Sequence, residues 1–463
     1  MTSQEALVGA LTAIVGERYC LTGEAAAAQA VGAWGALGSP VAHVRPASTA
    51  EVSAILRLCS EAGMPVSAWG GKTGLVQGTN GDGAIALSLD RMNAIEAVDA
   101  TSGTMTVEAG CILQVAAEAA EARDLFLPVD LGARGSATIG GVISTNAGGN
   151  RVIRYGMARE TVLGLEAVLA DGTVVSSMNR LIKNNSGYDL KQLFIGSEGT
   201  LGVVTRAVLR LRPLPVSQDT AFVGCARFEQ LPLLLRHMEK RLGGTLSAFE
   251  VMWREFVELV TTPPALGHAP LSEPHPYSVL IEGMGGEQEA DSARFEAALM
   301  EALEQGLIED AAIAKSQAER NAMWALRDDV AQTARNAPII TYDVSLPIDR
   351  MESYVAEVRA AFDAQWGKAA TLTVFGHLGD GNLHLIAGVG SNDAQARAAV
   401  NAIVYGGLRT RDGSISAEHG IGLEKRDYLG YSRGPEEIAL MRRLKAALDP
   451  GNILNPGKIF PAL

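Results

Sequence analysis

The sequence predicts an α+β chain of two main domains, and three observations carry that prediction. Short strand-like runs alternate with glycine turns through residue 215. From 216 to 410 the glycines thin out and longer helix-like stretches appear, at 286–306 and 392–408, among scattered strands. Pro213 and Pro215 punctuate the junction. A length of 463 residues leaves room for large cores and corresponds to about three units of roughly 150 residues, here 1–215, 216–410 and a C-terminal segment, 411–463.

The first elements can be placed in order. "MTSQEALVGALTAIVGERYC" is an amphipathic helix candidate. Ser48 and Glu51 form a capping box, Val52, Ile55, Leu56 and Cys59 recur at helical spacing, and Gly63 is a C-terminal stop. "PVSAW" then reads as a strand running into the turn "GGKTG" at 70–74. Strands follow at 84–89 and 105–110, then a helix over 113–124. "VLGLEAVLADGTVV" (162–175) is two short strands around an Asp-Gly turn, and the run to Pro213 ends in an alternating strand. Near the C-terminus a helix from about 439 is stopped by Asp-Pro-Gly.

Composition excludes several classes. A net charge of −13 argues against nucleic acid or an anionic membrane as partner, since both need a basic footprint. The four cysteines, Cys20, Cys59, Cys111 and Cys225, are far apart and form no CxxC. That spacing excludes a zinc knuckle or disulfide scaffold and points to reduced, buried thiols in a cytoplasmic protein. The N-terminus lacks the basic leader and long apolar core of a signal peptide. No run of about 18 uncharged apolar residues offers a membrane span.

Two of only seven histidines frame the turn in "HLGDGNLH". With Asp380-Gly381 as a two-residue hairpin loop, His377 faces His384. Directly opposed residues place their Cβ atoms about 5 Å apart on one face, close enough to grip one metal ion. The alternative is a pair of surface or hairpin-packing histidines.

Three glycine-rich blocks (70–78, 132–149, 196–202) lie in the first 203 residues. Small residues let backbone N–H groups converge on an anion, and three blocks suit an extended dinucleotide better than ordinary turns or a mononucleotide. The usual dinucleotide fingerprint is absent: "GDGAIA" (81–86) precedes a strand rather than following one. A Rossmann domain is therefore not expected.

The runs "GGKTGL", "PVDLG", "ATIGGVISTNAGGNRVIRYG", "NNSGYDLKQLFIGSEGTLGVVT", "GHLGDGNLH", "SAEHGIGLEKR" and "LDPGNILNPGKIF" together resemble the FAD-linked D-2-hydroxy acid dehydrogenases. These are vanillyl-alcohol-oxidase-like flavoproteins that include D-lactate and D-2-hydroxyglutarate dehydrogenases and the glycolate oxidase flavin subunit. The resemblance covers residues 40 to 460. It implies a two-subdomain FAD-binding domain of the p-cresol-methylhydroxylase type, a cap domain with an antiparallel sheet, and a C-terminal segment returning to the FAD domain.

Carried over, FAD contacts come from Trp69, Gly70, Gly71, Lys72, Thr73, Gly74 and Leu75 in the first block. A second set is Pro128, Gly132, Thr138, Gly140, Gly141, Ser144, Asn146, Gly148, Gly149 and Tyr155. Glu198, Gly199, Gly202, Val203 and Asn455 complete it. The first loop holds Lys72 and no histidine, so non-covalent FAD is expected.

The resemblance further implies a divalent metal, zinc with manganese or cobalt as alternatives, on His377, His384 and Glu418. His419 is implied as the base that takes the hydroxyl proton, with a further ligand as its alternative; histidine's ordinary titration near neutrality suits a base. Arg327 is implied as the clamp on the substrate carboxylate, against a helix-surface ion pair. Where 2-hydroxyglutarate-specific members carry an Asn and a Lys, this chain has Ile386 and Thr341. An apolar residue would leave a second carboxylate poorly satisfied, so a D-2-hydroxy monocarboxylate such as lactate, 2-hydroxybutyrate or mandelate is expected. The implied partners are an electron acceptor (an electron-transfer flavoprotein, quinone or cytochrome) and a second copy in a homodimer. The alternative is a D-2-hydroxyglutarate dehydrogenase or a glycolate oxidase flavin subunit; further rival readings are a flavin transferase of the alkyl-dihydroxyacetone-phosphate synthase type and a non-catalytic flavin subunit.

Overall fold

The structure, a computed structural model, describes residues 3–461. The chain divides into two compact units. One takes the chain to Gly149, Gly156–Leu214 and the residues from Glu418 on; the other takes Asn150–Tyr155 and Pro215–Ala417.

The first unit contains a four-stranded sheet in the order Cys20–Thr22, Ala42–Val44, Ile85–Ser88, Val66–Trp69, of which the last three run parallel. The helix Thr49–Ala62 covers it and buries Val52, Ile55, Leu56 and Cys59. Its start is fixed chemically, because Ser48 Oγ accepts the Glu51 N–H at 3.2 Å and Glu51 Oε2 accepts the Ala47 N–H at 2.8 Å. Gly63 ends it at φ 61°, a conformation glycine adopts without penalty. A five-stranded antiparallel sheet follows, ordered Val174–Ser177, Val162–Val168, Val203–Arg210, Thr104–Glu108, Ile95–Asp99. One continuous apolar core joins the two sheets and takes in Cys20, Cys59 and Cys111; all four cysteines are free and buried.

The second unit is built on a seven-stranded sheet, antiparallel throughout. Its order is Asp310–Ile313, Ser217–Cys225, Tyr277–Gly285, Leu246–Trp253, Thr371–His377, Asn382–Gly388, Ile339–Ser345. The helices Arg254–Thr261 and Gln317–Asp328 close an apolar cluster of Phe222, Met252, Phe256, Leu280, Met323, Leu326, Phe375 and Ile386.

The hairpin between the last two long strands differs from its expected form. Leu378–Asp380 makes a tight 3₁₀ turn and Gly381 takes φ 85°, so the loop spans four residues rather than two. The register therefore sets His384 opposite Phe375, not opposite His377. The shift is an even number of residues, so side-chain parity survives. The two imidazoles still share a face, with ring centroids 5.4 Å apart.

No described helix is long and apolar enough to cross a membrane.

Candidate active site

On one face of the seven-stranded sheet, three acids interrupt strands that are otherwise nearly apolar. They are Glu250 in "LSAFEVMW", Glu282 in "YSVLIEGMG" and Asp343 in "IITYDVS". All three are buried, and a buried carboxylate must find partners or neutralise. Each one has found them.

Glu250 spends one oxygen on each of two neighbours. Oε1 accepts the Nδ1–H of His377 at 2.8 Å, and Oε2 accepts the Nε–H of Arg327 at 2.7 Å. Arg327 Nη2 lies 3.3 Å from His377 Nε2, and its guanidinium sits 5.0 Å over the Phe375 ring. Burial alone would raise the Glu250 carboxyl, but His377 and Arg327 outweigh it and hold the group below the ordinary carboxylate range. Donating Nδ1–H to a carboxylate fixes the tautomer of His377 and leaves Nε2 as the acceptor, facing Arg327 Nη2.

Asp343 lies directly opposite His384 in register, and the two offer ligand atoms within 4.8 Å of one another. Asp343 Oδ1 accepts from Asn382 Nδ2 at 3.0 Å; Oδ2 accepts from Ser416 Oγ and from the Ala417 N–H at 3.3 and 3.2 Å. The second unit thus ends on the Asp343 carboxylate, one peptide bond before Glu418. Glu282 accepts from Arg151 Nε at 3.0 Å, Trp324 Nε1 at 3.0 Å and Ser247 Oγ at 2.9 Å. That pins the short excursion 150–155 to the sheet.

Ile386 belongs to the apolar cluster and is 4 % exposed. Thr341, paired with it in register, is exposed on the edge strand. Arg327 is not on a helix surface. It is buried, and its charge is met by Glu250.

In the first unit the glycine blocks touch backbone to backbone. A Cβ built on Gly71 would stand 1.9 Å from Ser136 O, and one on Gly70 2.5 Å from Thr138 Oγ1. Thr138 caps the helix Ile139–Thr145, which holds Gly140, Gly141 and Ser144. Asn146 closes the helix and accepts the Arg159 N–H at 3.0 Å. Gly149 crosses Asp130 O closely enough that a Cβ would lie at 1.9 Å. The Glu198 N–H donates to Ser144 O at 2.8 Å, bringing in the third block with Gly199, Gly202 and Val203. Pro128 is buried beside this floor.

Gly74 and Gly132 look onto open space, since a Cβ at either meets nothing within 4 Å. Trp69 buries an indole N–H that has no partner among the described residues, and Lys72 Nζ sits 5.4 Å over its ring and donates to Gln29 O at 2.8 Å. Thr73 and Leu75 complete that loop. An open floor of backbone flanked by closely packed glycines fits an extended dinucleotide lying against main-chain N–H groups. Tyr155, by contrast, belongs to the second unit.

Two residues assigned to FAD by resemblance have committed side chains. Asn455 Nδ2 donates to Glu198 O at 2.6 Å and its Oδ1 accepts from Lys458 Nζ at 2.8 Å. The Glu198 carboxylate accepts the N–H groups of Ile421 and Gly422, each at 2.7 Å. Burial raises the Glu198 carboxyl, against the pull of those two bonds and of Lys425 and Lys458. Glu418 and His419 stand just upstream, with His419 Nε2 3.8 Å from Glu418 Oε1.

Glu250, Glu282 and Asp343 lie in none of the motifs of the sequence. The usable signal was a single acid inside an apolar strand.

Residues 40–177 match the FAD binding domain family, and residues 214–459 match the C-terminal domain of FAD linked oxidases. The chain belongs to the FAD-linked D-2-hydroxy acid dehydrogenases. It is 43 % identical to the mitochondrial D-2-hydroxyglutarate dehydrogenase of Bos taurus, over 92 % of this chain and 77 % of that protein. It is 40 % identical to D-2-hydroxyglutarate dehydrogenase of Xanthomonas citri pv. viticola, over 91 % of this chain and 89 % of that one. Its fold is that of p-cresol methylhydroxylase, with a TM-score of 0.76 at 16 % identity, over the whole of this chain and 98 % of that one. The expected cytoplasmic location is corrected by these relatives: the cattle protein and its counterparts in rat and Arabidopsis are named as mitochondrial.

Proposed function

We propose that this chain is an FAD-dependent dehydrogenase that oxidises a D-2-hydroxy monocarboxylate to the 2-oxo acid. The observation that carries the reading is the shared carboxylate of Glu250, which holds a guanidinium and an imidazole side by side on one sheet face. Arg327 receives the substrate carboxylate on N–H groups that Glu250 leaves available, and its fork fixes the acid's orientation. His419 takes the hydroxyl proton. His377, His384 and Glu418 hold a divalent metal, zinc, manganese or cobalt, with Asp343 as a further oxygen donor beside His384. A bound metal supplies Lewis acidity to the substrate hydroxyl. Non-covalent FAD, held by the three glycine blocks, supplies acceptance of the hydride that leaves Cα.

Ile386, packed among Phe375, Phe256 and Met252, supports the monocarboxylate, since a charged group there would be desolvated without a partner. A second reading, a 2-hydroxy dicarboxylate, is favoured by the names of the relatives at 40–43 % identity. The electrons pass on to a flavoprotein, quinone or cytochrome acceptor, and the protein works as a homodimer.

The test is the visible spectrum of purified protein, titrated without oxygen with D- and L-2-hydroxy acids, before and after chelation. Bleaching by a D-monocarboxylate, lost on chelation and restored by zinc or manganese, is expected. A flavin spectrum that no D-2-hydroxy acid bleaches overturns the proposal. Bleaching by D-2-hydroxyglutarate in preference to the monocarboxylates selects the second reading.

A further inference from the structure

We infer that Glu198 is a positioning residue for the loop that carries His419, and not a contact of the cofactor. The inference rests on the reading of His419 as the base. Glu198 sits at φ 51° in a glycine turn, with Gly196 and Gly199 also at positive φ. Few non-glycine residues hold that backbone region without compensation. The compensation is visible in four bonds to three segments. Its N–H is taken by Ser144 O at 2.8 Å, its carbonyl by Asn455 Nδ2 at 2.6 Å, and its carboxylate by the N–H groups of Ile421 and Gly422 at 2.7 Å each.

Two backbone donors converging on two oxygens fix both the distance and the tilt of the loop, as a single bond would not. The approach is possible because Gly420 has no side chain: a Cβ there would stand 2.9 Å from Glu198 Oε1. Gly422 is equally constrained, since its Cβ would meet Val76 O at 2.0 Å, within the first glycine block. The Leu423 N–H donates to the same Val76 O at 3.0 Å. The loop after His419 is therefore clamped from two sides, by Val76 O and by the Glu198 carboxylate. His419 lies two residues before the first gripped amide. A base displaced by about 1 Å can lose two orders of magnitude in rate.

Glu198→Gln keeps the shape but replaces one acceptor oxygen with an N–H₂ group that faces an N–H. In the full-length flavin-loaded protein, kcat is expected to fall roughly ten- to a hundredfold. KM should stay within about threefold and the flavin content should be unchanged. Amide hydrogen exchange at Ile421 and Gly422 should accelerate. Glu198→Asp, which keeps the charge but not the reach, should show the same pattern and serves if the glutamine variant does not fold.

The Glu198→Gln and His419→Asn variants combined should be no slower than His419→Asn alone, because one acts through the other. Additive losses, loss of flavin from either Glu198 variant, or wild-type exchange at both amides would each overturn the inference. The exchange result holds whatever the activity. A wild-type protein that no D-2-hydroxy acid reduces, yet whose loop amides loosen in Glu198→Gln, would refute the functional reading and leave the clamp standing.

Discussion

Glu250 accepts the Nδ1–H of His377 at 2.8 Å with one carboxylate oxygen while the other holds Arg327 at 2.7 Å. A proposed metal ligand and a proposed substrate clamp therefore depend on one group. Glu250→Gln should weaken metal affinity by roughly ten- to a hundredfold and raise KM together. His377→Gln should affect chiefly the metal, and Arg327→Met chiefly KM. Competition titration with a chelating dye, run beside steady-state kinetics, checks the pattern. Glu250→Leu leaves a buried cation without its partner and should cost about 3–5 kcal/mol of stability.

Thr341 and Ile386 are direct register partners. Installing Lys at 341 and Asn at 386 supplies a cation and an amide for a second carboxylate. The double variant should raise kcat/KM for D-2-hydroxyglutarate by about tenfold or more and lower it for D-lactate, as an anaerobic reduction panel would report. Placing an amide among Phe375, Phe256 and Met252 should also lower stability, by about 1–3 kcal/mol.

Gly71 and Gly74 stand three residues apart in one loop and should respond differently to the same change. A Cβ at Gly71 would lie 1.9 Å from Ser136 O, whereas one at Gly74 meets nothing within 4 Å. Gly71→Ala should therefore lower the melting temperature, through overpacking worth about 1–3 kcal/mol. Gly74→Ala should leave the melting temperature of the flavin-free protein unchanged and reduce flavin retention. Differential scanning fluorimetry and the ratio of flavin to protein absorbance separate the two effects.

His43 is 4 % exposed, and its Nδ1 has no hydrogen-bond partner among the described residues. Burial lowers its pKa from 6.5 to about 4, with Arg45 and Lys72 adding to the effect and Asp90 opposing it. Between about 4 and 6.5 the unfolded chain binds a proton that the native chain refuses. Its contribution is therefore intact above 6.5 and lost as pH falls through that window. His43→Leu should flatten the acid limb of stability measured by urea unfolding from pH 7.5 to 4.5.

Much of the fold was legible because local chemistry dictated it. The Ser48–Glu51 box and Gly63 bound their helix as expected, and the helices Gln288–Glu304 and Ala394–Gly406 fall inside the expected stretches. The strand Val203–Arg210 does not alternate, because it is central in its sheet and buried on both faces. The hairpin register was missed because Asp-Gly favours a two-residue loop locally, whereas here the 3₁₀ turn adds two residues. The partners of Glu250 lie 77 and 127 residues away, a separation at which no motif spacing operates.

The six residues Asn150–Tyr155 lie within the first half of the sequence yet belong to the second unit, while the residues from Glu418 on belong to the first. Neither unit is a contiguous stretch of chain, so no single cut separates the two. During synthesis Arg151 emerges long before its partner Glu282, and Glu198 waits for Ile421, Gly422 and Asn455. The native contacts that close each unit are thus complete only after late residues have been made, and the last bond to the Glu198 backbone waits for residue 455.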